Sequence, residues 1–154
     1  MNRNLIALSN GKETFIQTVK AIWGDANRFS LTVQLQLGTS EHLDAFLDSL
    51  VPWLICETET NHWPGTVLYG AKANVRFYRC TPHSLSAIVE QAGRWFWLQP
   101  EMPEDLAIYR NDGSVIFESI CHEEDVLLHF TEEEFIGLPL SIREKMVQTG
   151  RQSG

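Results

Sequence analysis

The chain has 154 residues at 17.6 kDa, 44% of them hydrophobic and 21% charged, which bounds it to one ordinary globular domain with one core. Twelve Lys and Arg against twenty Asp and Glu give a net charge of −8, which repels duplex nucleic acid and anionic membranes and favours a basic partner. No apolar run approaches the roughly 20 residues needed to cross a bilayer, and the opening MNRNLIALSNGKE lacks a signal-peptide core, so a soluble cytoplasmic protein is expected.

In chain order, Phe15, Ile16, Val19, Ile22 and Trp23 share one face of a helix predicted over about 12–23, which Gly24 ends. RFSLTVQLQLG then alternates Phe29, Leu31, Val33, Leu35 and Leu37 with polar residues, the period of a strand with one buried face. Thr39 or Ser40 can cap the next helix, whose stripe of Leu43, Phe46, Leu47, Leu50, Val51 and Leu54 meets Pro52, where a kink or an early end is expected. Residues 57–66 read as a loop. TVLYGAKANVRFYRC reads as one or two strands with Val75, Phe77 and Tyr69 toward the core. Thr81 and Pro82 start a helix carrying Leu85, Ile88, Val89 and Ala92.

The last third turns to hairpins. DLAIYR and SVIFESIC flank Asn111-Asp112-Gly113, and VLLHF follows HEED, which makes a three-stranded antiparallel meander. Thr131 with Glu134 forms a capping box for a final helix, and Gly137 and Pro139 interrupt it. This order implies the α+β class: a mostly antiparallel sheet with helices packed on one face and the meander at its C-terminal end. Residues 1–150 read as a single domain and 151–154 as a frayed tail.

Charge is unevenly distributed. Residues 101–135 hold eleven acids and one base, Arg110, so the remainder of the chain is slightly basic. A basic partner would be steered to this segment, although solvated turns and a helix N-terminus also suit acids. Within it, His122, Glu124 and His129 are the candidate metal ligands, set against an ordinary exposed turn because no established ligand spacing is met. Cys121 beside His122 suggests a nucleophile and base, but neighbours on a strand point to opposite faces. The three cysteines, Cys56, Cys80 and Cys121, contain no CxxC pair and are expected as reduced thiols in or near the core.

A second cluster, Asn61 to Gly65, puts His62 and Trp63 beside a Pro-Gly turn, either to stack on a ligand or to fold back over the core. A third, GRWFWLQP, places Trp95 with Trp97 and Phe96 with Leu98 on opposite faces if extended, the pattern of a segment packed across the sheet. No catalytic motif is present, and no cofactor is implied.

ETETNHWPGTVLYGAKANVRFYRCTPHSL, followed by PEDLAIYRNDGSVIFESICHEED, resembles a small bacterial protein family over roughly residues 29–136. That family has no established activity, so the resemblance implies no functional residue. Its most distinctive stretches include the Trp63 loop and the His122 turn, which points to one shared surface. The binding residues expected are His62, Trp63, Glu118, His122, Glu123, Glu124 and Asp125, in an immunity- or inhibitor-like domain for a basic protein. The alternative is a small metal-dependent hydrolase with a His/carboxylate site, and a homo-oligomer is compatible with either.

Overall fold

Eight strands join in one sheet, and their order in space departs from their order in the chain. The computed structural model describes residues 2–7, 12–91, 97–123 and 125–148, with side chains over 12–91, 97–123 and 125–146. The elements are β1 (Asn2–Ala7), α1 (Lys12–Trp23), β2 (Ala26–Gln34), α2 (Glu41–Leu50), β3 (Leu54–Thr60), β4 (His62–Trp63), β5 (Thr66–Val67), β6 (Ala73–Arg79), α3 (Pro82–Gln91), β7 (Glu104–Arg110), β8 (Val115–Ile120), β9 (Asp125–Thr131), α4 (Glu132–Ile136), α5 (Leu140–Arg143) and β10 (Met146–Gln148). The sheet runs β10-β1-β9-β8-β7-β2-β6-β3 with every pair antiparallel, and β4 and β5 form a separate hairpin. This is the α+β class, with β7, β8 and β9 as the expected meander.

Helix starts follow capping chemistry. Ser40 Oγ accepts the Leu43 N–H at 3.1 Å and Thr81 Oγ1 accepts the Ser84 N–H at 3.0 Å, each satisfying a donor that the first helical turn leaves unpaired. Thr131 and Glu134 form the full reciprocal box. α2 ends at Leu50, and Val51–Trp53 makes a 3-10 turn around Pro52. The apolar stripes of α1, α2 and α3 meet one face of the sheet in a single core that includes Phe15, Phe29, Leu43, Ile88, Phe117 and Phe130. Each such side chain contributes about 1.5–3 kcal/mol by leaving water. Trp97 packs edge-on against Phe15 and Phe46 in this core, while Trp95 and Phe96 lie outside the described residues.

Several expectations are corrected. β2 is buried on both faces, because Ser30, Thr32 and Gln34 lie under a second covering layer. Residues 54–60 form an edge strand rather than a continued helix stripe and a loop, because β6 supplies a hydrogen-bonding partner that local sequence does not reveal. Tyr69 is 92% exposed, in the loop between β5 and β6, so it is not a core residue. Cys56 is exposed on the edge strand, and Cys121 is buried. The pairing of β1 with β9 and β10 had no local signature at all. Among the described residues no helix is long and apolar enough to cross a membrane.

One ion pair ties the last cap to the meander. Arg110 Nε donates to Glu134 Oε2 at 2.9 Å, and its guanidinium also reaches the carbonyls of Val115 and His129. Burial works against the Glu134 carboxylate, but the Arg110 guanidinium and the Thr131 N–H outweigh it and hold its pKa below the ordinary glutamate value. The resulting stability is present above the ordinary range and is lost as pH falls through the lowered folded value. Glu134→Gln should therefore cost about 1–3 kcal/mol at neutral pH and flatten the acid side of a melting-temperature profile. An acid limb identical to that of the wild type would show that this clamp does not couple to folding.

Candidate functional site

The second face of the sheet is where the polar chemistry collects. Trp63, Ala73 and Val75 form a small separate core there, with Leu68 and Phe77 packed against it. The β4–β5 hairpin lies across this face, and its Gly65 (φ +85°) approaches β8 so closely that a Cβ would sit 2.6 Å from Ile120 Cγ1. At the other end, Arg28 covers the rings of Phe77 and Tyr109, and the Tyr109 hydroxyl shares a 2.9 Å hydrogen bond with Ser30. A polar-looking strand face is thus closed by its own chain.

Asp105 fixes the hairpin in place. Its Oδ2 accepts the Trp63 indole N–H at 2.7 Å and the Thr66 hydroxyl at 3.3 Å, and its Oδ1 accepts the Cys121 N–H at 2.8 Å. The Asp105 backbone is left-handed (φ 52°), a conformation that few residues other than glycine tolerate and aspartate tolerates better than most. Beside it, Glu104 accepts the Gln99 N–H at 3.0 Å and the Gln34 amide at 3.3 Å. Burial pushes the Glu104 carboxyl above its ordinary pKa, with Asp105 adding to the rise and the Gln99 N–H, His122 and Gln34 opposing it. One ligand atom each from Glu104, Asp105 and His122 lie within 4.8 Å of one another. Both carboxylates are buried and His122 is exposed.

The expected site residues separate around this centre. Trp63 is 7% exposed and anchors the hairpin from beneath. His62 is exposed and bonds locally to Thr60 and Asn61. His122 lies in the turn Cys121–Glu123, its Nε2 3.9 Å from Glu123 Oε1, and Asp125 starts β9 half-buried. Glu124 lies outside the described residues. Glu118 and His129 meet each other at 3.7 Å across β8 and β9. Among the described residues the group that converges on His122 is therefore Glu104 with Asp105, and His129 is not a member. The Trp63 indole bonds to Asp105, and a His122 ring nitrogen lies within 4.8 Å of an Asp105 oxygen.

In the sequence Glu104 and Asp105 stand out only as charge, with no local sign that they converge with His122. Their partners lie far along the chain, so the signals available were the burial implied by Pro103 and Leu106 around them and their place in the PED stretch. The acids of residues 101–135 also divide between the two ends of the meander. Asp112, Glu133 and Glu134 surround Arg110 with Asp25 at one end, whereas Glu104, Asp105, Glu123 and Asp125 gather at the other.

Burial raises the Cys121 thiol to about 12, with the Asp105 charge adding to it, and burial alone takes Cys80 to about 12. Such thiols stay protonated at neutral pH and are poor nucleophiles. A thiol reagent should modify exposed Cys56 rapidly, half-buried Cys80 slowly, and Cys121 not until the chain unfolds; rapid labelling at Cys121 would mean that the hairpin opens readily. Gly65→Ala should destabilise the fold by about 1–3 kcal/mol, since the added methyl meets Ile120 in a strained backbone. An unaltered denaturation midpoint would show that the hairpin does not rest on β8. Comparison of the chain with family models, with curated proteins and with solved structures gives no match.

Proposed function

We propose that this chain is a binding domain that engages a basic protein partner through the acidic corner of Glu123 and Asp125 beside His122. The observation that carries the reading is the use of Arg110. It is the one base among residues 101–135, and Glu134 already occupies it at the opposite end of the meander. Negative charge at the His122 corner is therefore uncompensated by the segment's own base, and Glu123 is exposed there.

Such a corner works chiefly by steering. Rim carboxylates raise the rate of encounter with a cationic surface and contribute little each to final affinity, so the effect is strongest at low salt. Glu118 is nearly buried against His129 and adds to the local potential more than to direct contact. Trp63 supports the corner through Asp105. An immunity- or inhibitor-like role fits this arrangement.

The test is capture from host lysate at low and high salt with the wild type, Glu123→Lys with Asp125→Lys, and Asp112→Lys. The double variant should lose a basic partner by about tenfold or more, the loss shrinking as salt rises, while Asp112→Lys retains it. Capture that is equal for all three proteins, or indifferent to salt, would remove the steering mechanism.

A further inference from the structure

We infer that Glu104, Asp105 and His122 form a binding site for one first-row divalent cation, of the Zn2+ or Mn2+ class. The inference does not depend on a basic protein partner, since it concerns the buried floor of the corner rather than its exposed rim.

Geometry comes first. The donor atoms of the three side chains lie within 4.8 Å of one another. Donors about 2.1 Å from one ion in tetrahedral geometry stand about 3.4 Å apart, so an inward movement of the imidazole of about 1 Å completes the contact. His122 is free to make it, because its side chain is 51% exposed. The two carboxylates are already aimed. Gln34 and Gln99 hold Glu104, and Trp63, Thr66 and the Cys121 N–H hold Asp105. A carboxylate accepts at roughly four positions, so these bonds orient the group and leave lone pairs for a metal.

Charge is the second argument. Glu104 and Asp105 are 3% and 2% exposed and adjacent, yet among the described residues neither makes an ion pair with a Lys or Arg. Two neighbouring buried carboxylates are costly without a cation between them. A third observation is independent of both. Thr32 is fully buried, its hydroxyl has no partner among the described residues, and it is the register partner of Glu104 across β2 and β7, so the two side chains share a face. A buried hydroxyl calls for a polar partner, and the hydration shell of a cation held by Glu104 supplies one. One imidazole with two carboxylates favours Zn2+ or Mn2+ over Ca2+, which takes six to eight oxygens.

The test is calorimetric titration of the metal-stripped full chain with Zn2+, Mn2+ and Ca2+, repeated on His122→Ala and His62→Ala. One equivalent of Zn2+ or Mn2+ should bind the wild type and His62→Ala alike, and His122→Ala should weaken it about tenfold or more. The His122 side chain is half exposed and Glu104 and Asp105 keep their other hydrogen bonds without it, so its variant should melt close to the metal-free wild type. The melting temperature should rise on adding metal in the wild type and much less in His122→Ala. Absence of binding, preference for Ca2+, or binding that survives His122→Ala would overturn the inference. Partner capture that ignores salt and the rim substitutions, with metal binding intact, would instead count only against the acidic rim.

Discussion

The carboxylate of Asp105 is the constraint on which the second face depends. It is buried, it accepts the indole N–H of Trp63 from one direction and the Cys121 N–H from another, and it does so from a left-handed backbone. Remove it and two buried donors lose their acceptor, which costs more than the bonds themselves contribute. The hairpin would then rest on its apolar contacts, those to Ala73, Val75, Phe77 and Ile120 among them. Everything assembled at the His122 corner, including the pairing of Glu104 with Asp105, follows from that fixed strand end.

What local sequence could reveal was whatever repeats within a few residues. The spacing of Phe15, Val19 and Ile22 marks a buried helical face, and Thr131 with Glu134 marks a helix start, because both are short-range physics. The polar side of β2 is the instructive contrast. Ser30, Thr32 and Gln34 alternate as a solvated face would, yet all three are buried, because Tyr109, Glu104 and the hairpin arrive from elsewhere in the chain. Likewise the edge strand at residues 54–60, rich in Thr and Glu, carries no periodic apolar signal and exists because β6 is beside it.

The candidate site shows the same division. The total charge of residues 101–135 is plain from the sequence, but its partition is not. Arg110 draws Glu134 to one end, while the start of β7, with its positive φ at Asp105, commits two carboxylates to the interior at the other. The sequence marks His122 as a possible ligand but gives no local sign of Glu104 and Asp105 beside it. Its true neighbours precede it by a full hairpin, so only the pairing of β7 with β8 brings them within reach.

The strand order also dictates when this chain can fold. β2 sits between β6 and β7, and β1 sits between β9 and β10, so both early strands find partners emitted much later in synthesis. Until β7 arrives, the apolar face of β2 and the stripes of α1 and α2 lack half of their cover. Contacts of such long sequence separation close slowly and leave sticky surface waiting on the ribosome. A chain of this topology has to be kept apart from its neighbours during translation, and its excess of acidic side chains is one means of doing so.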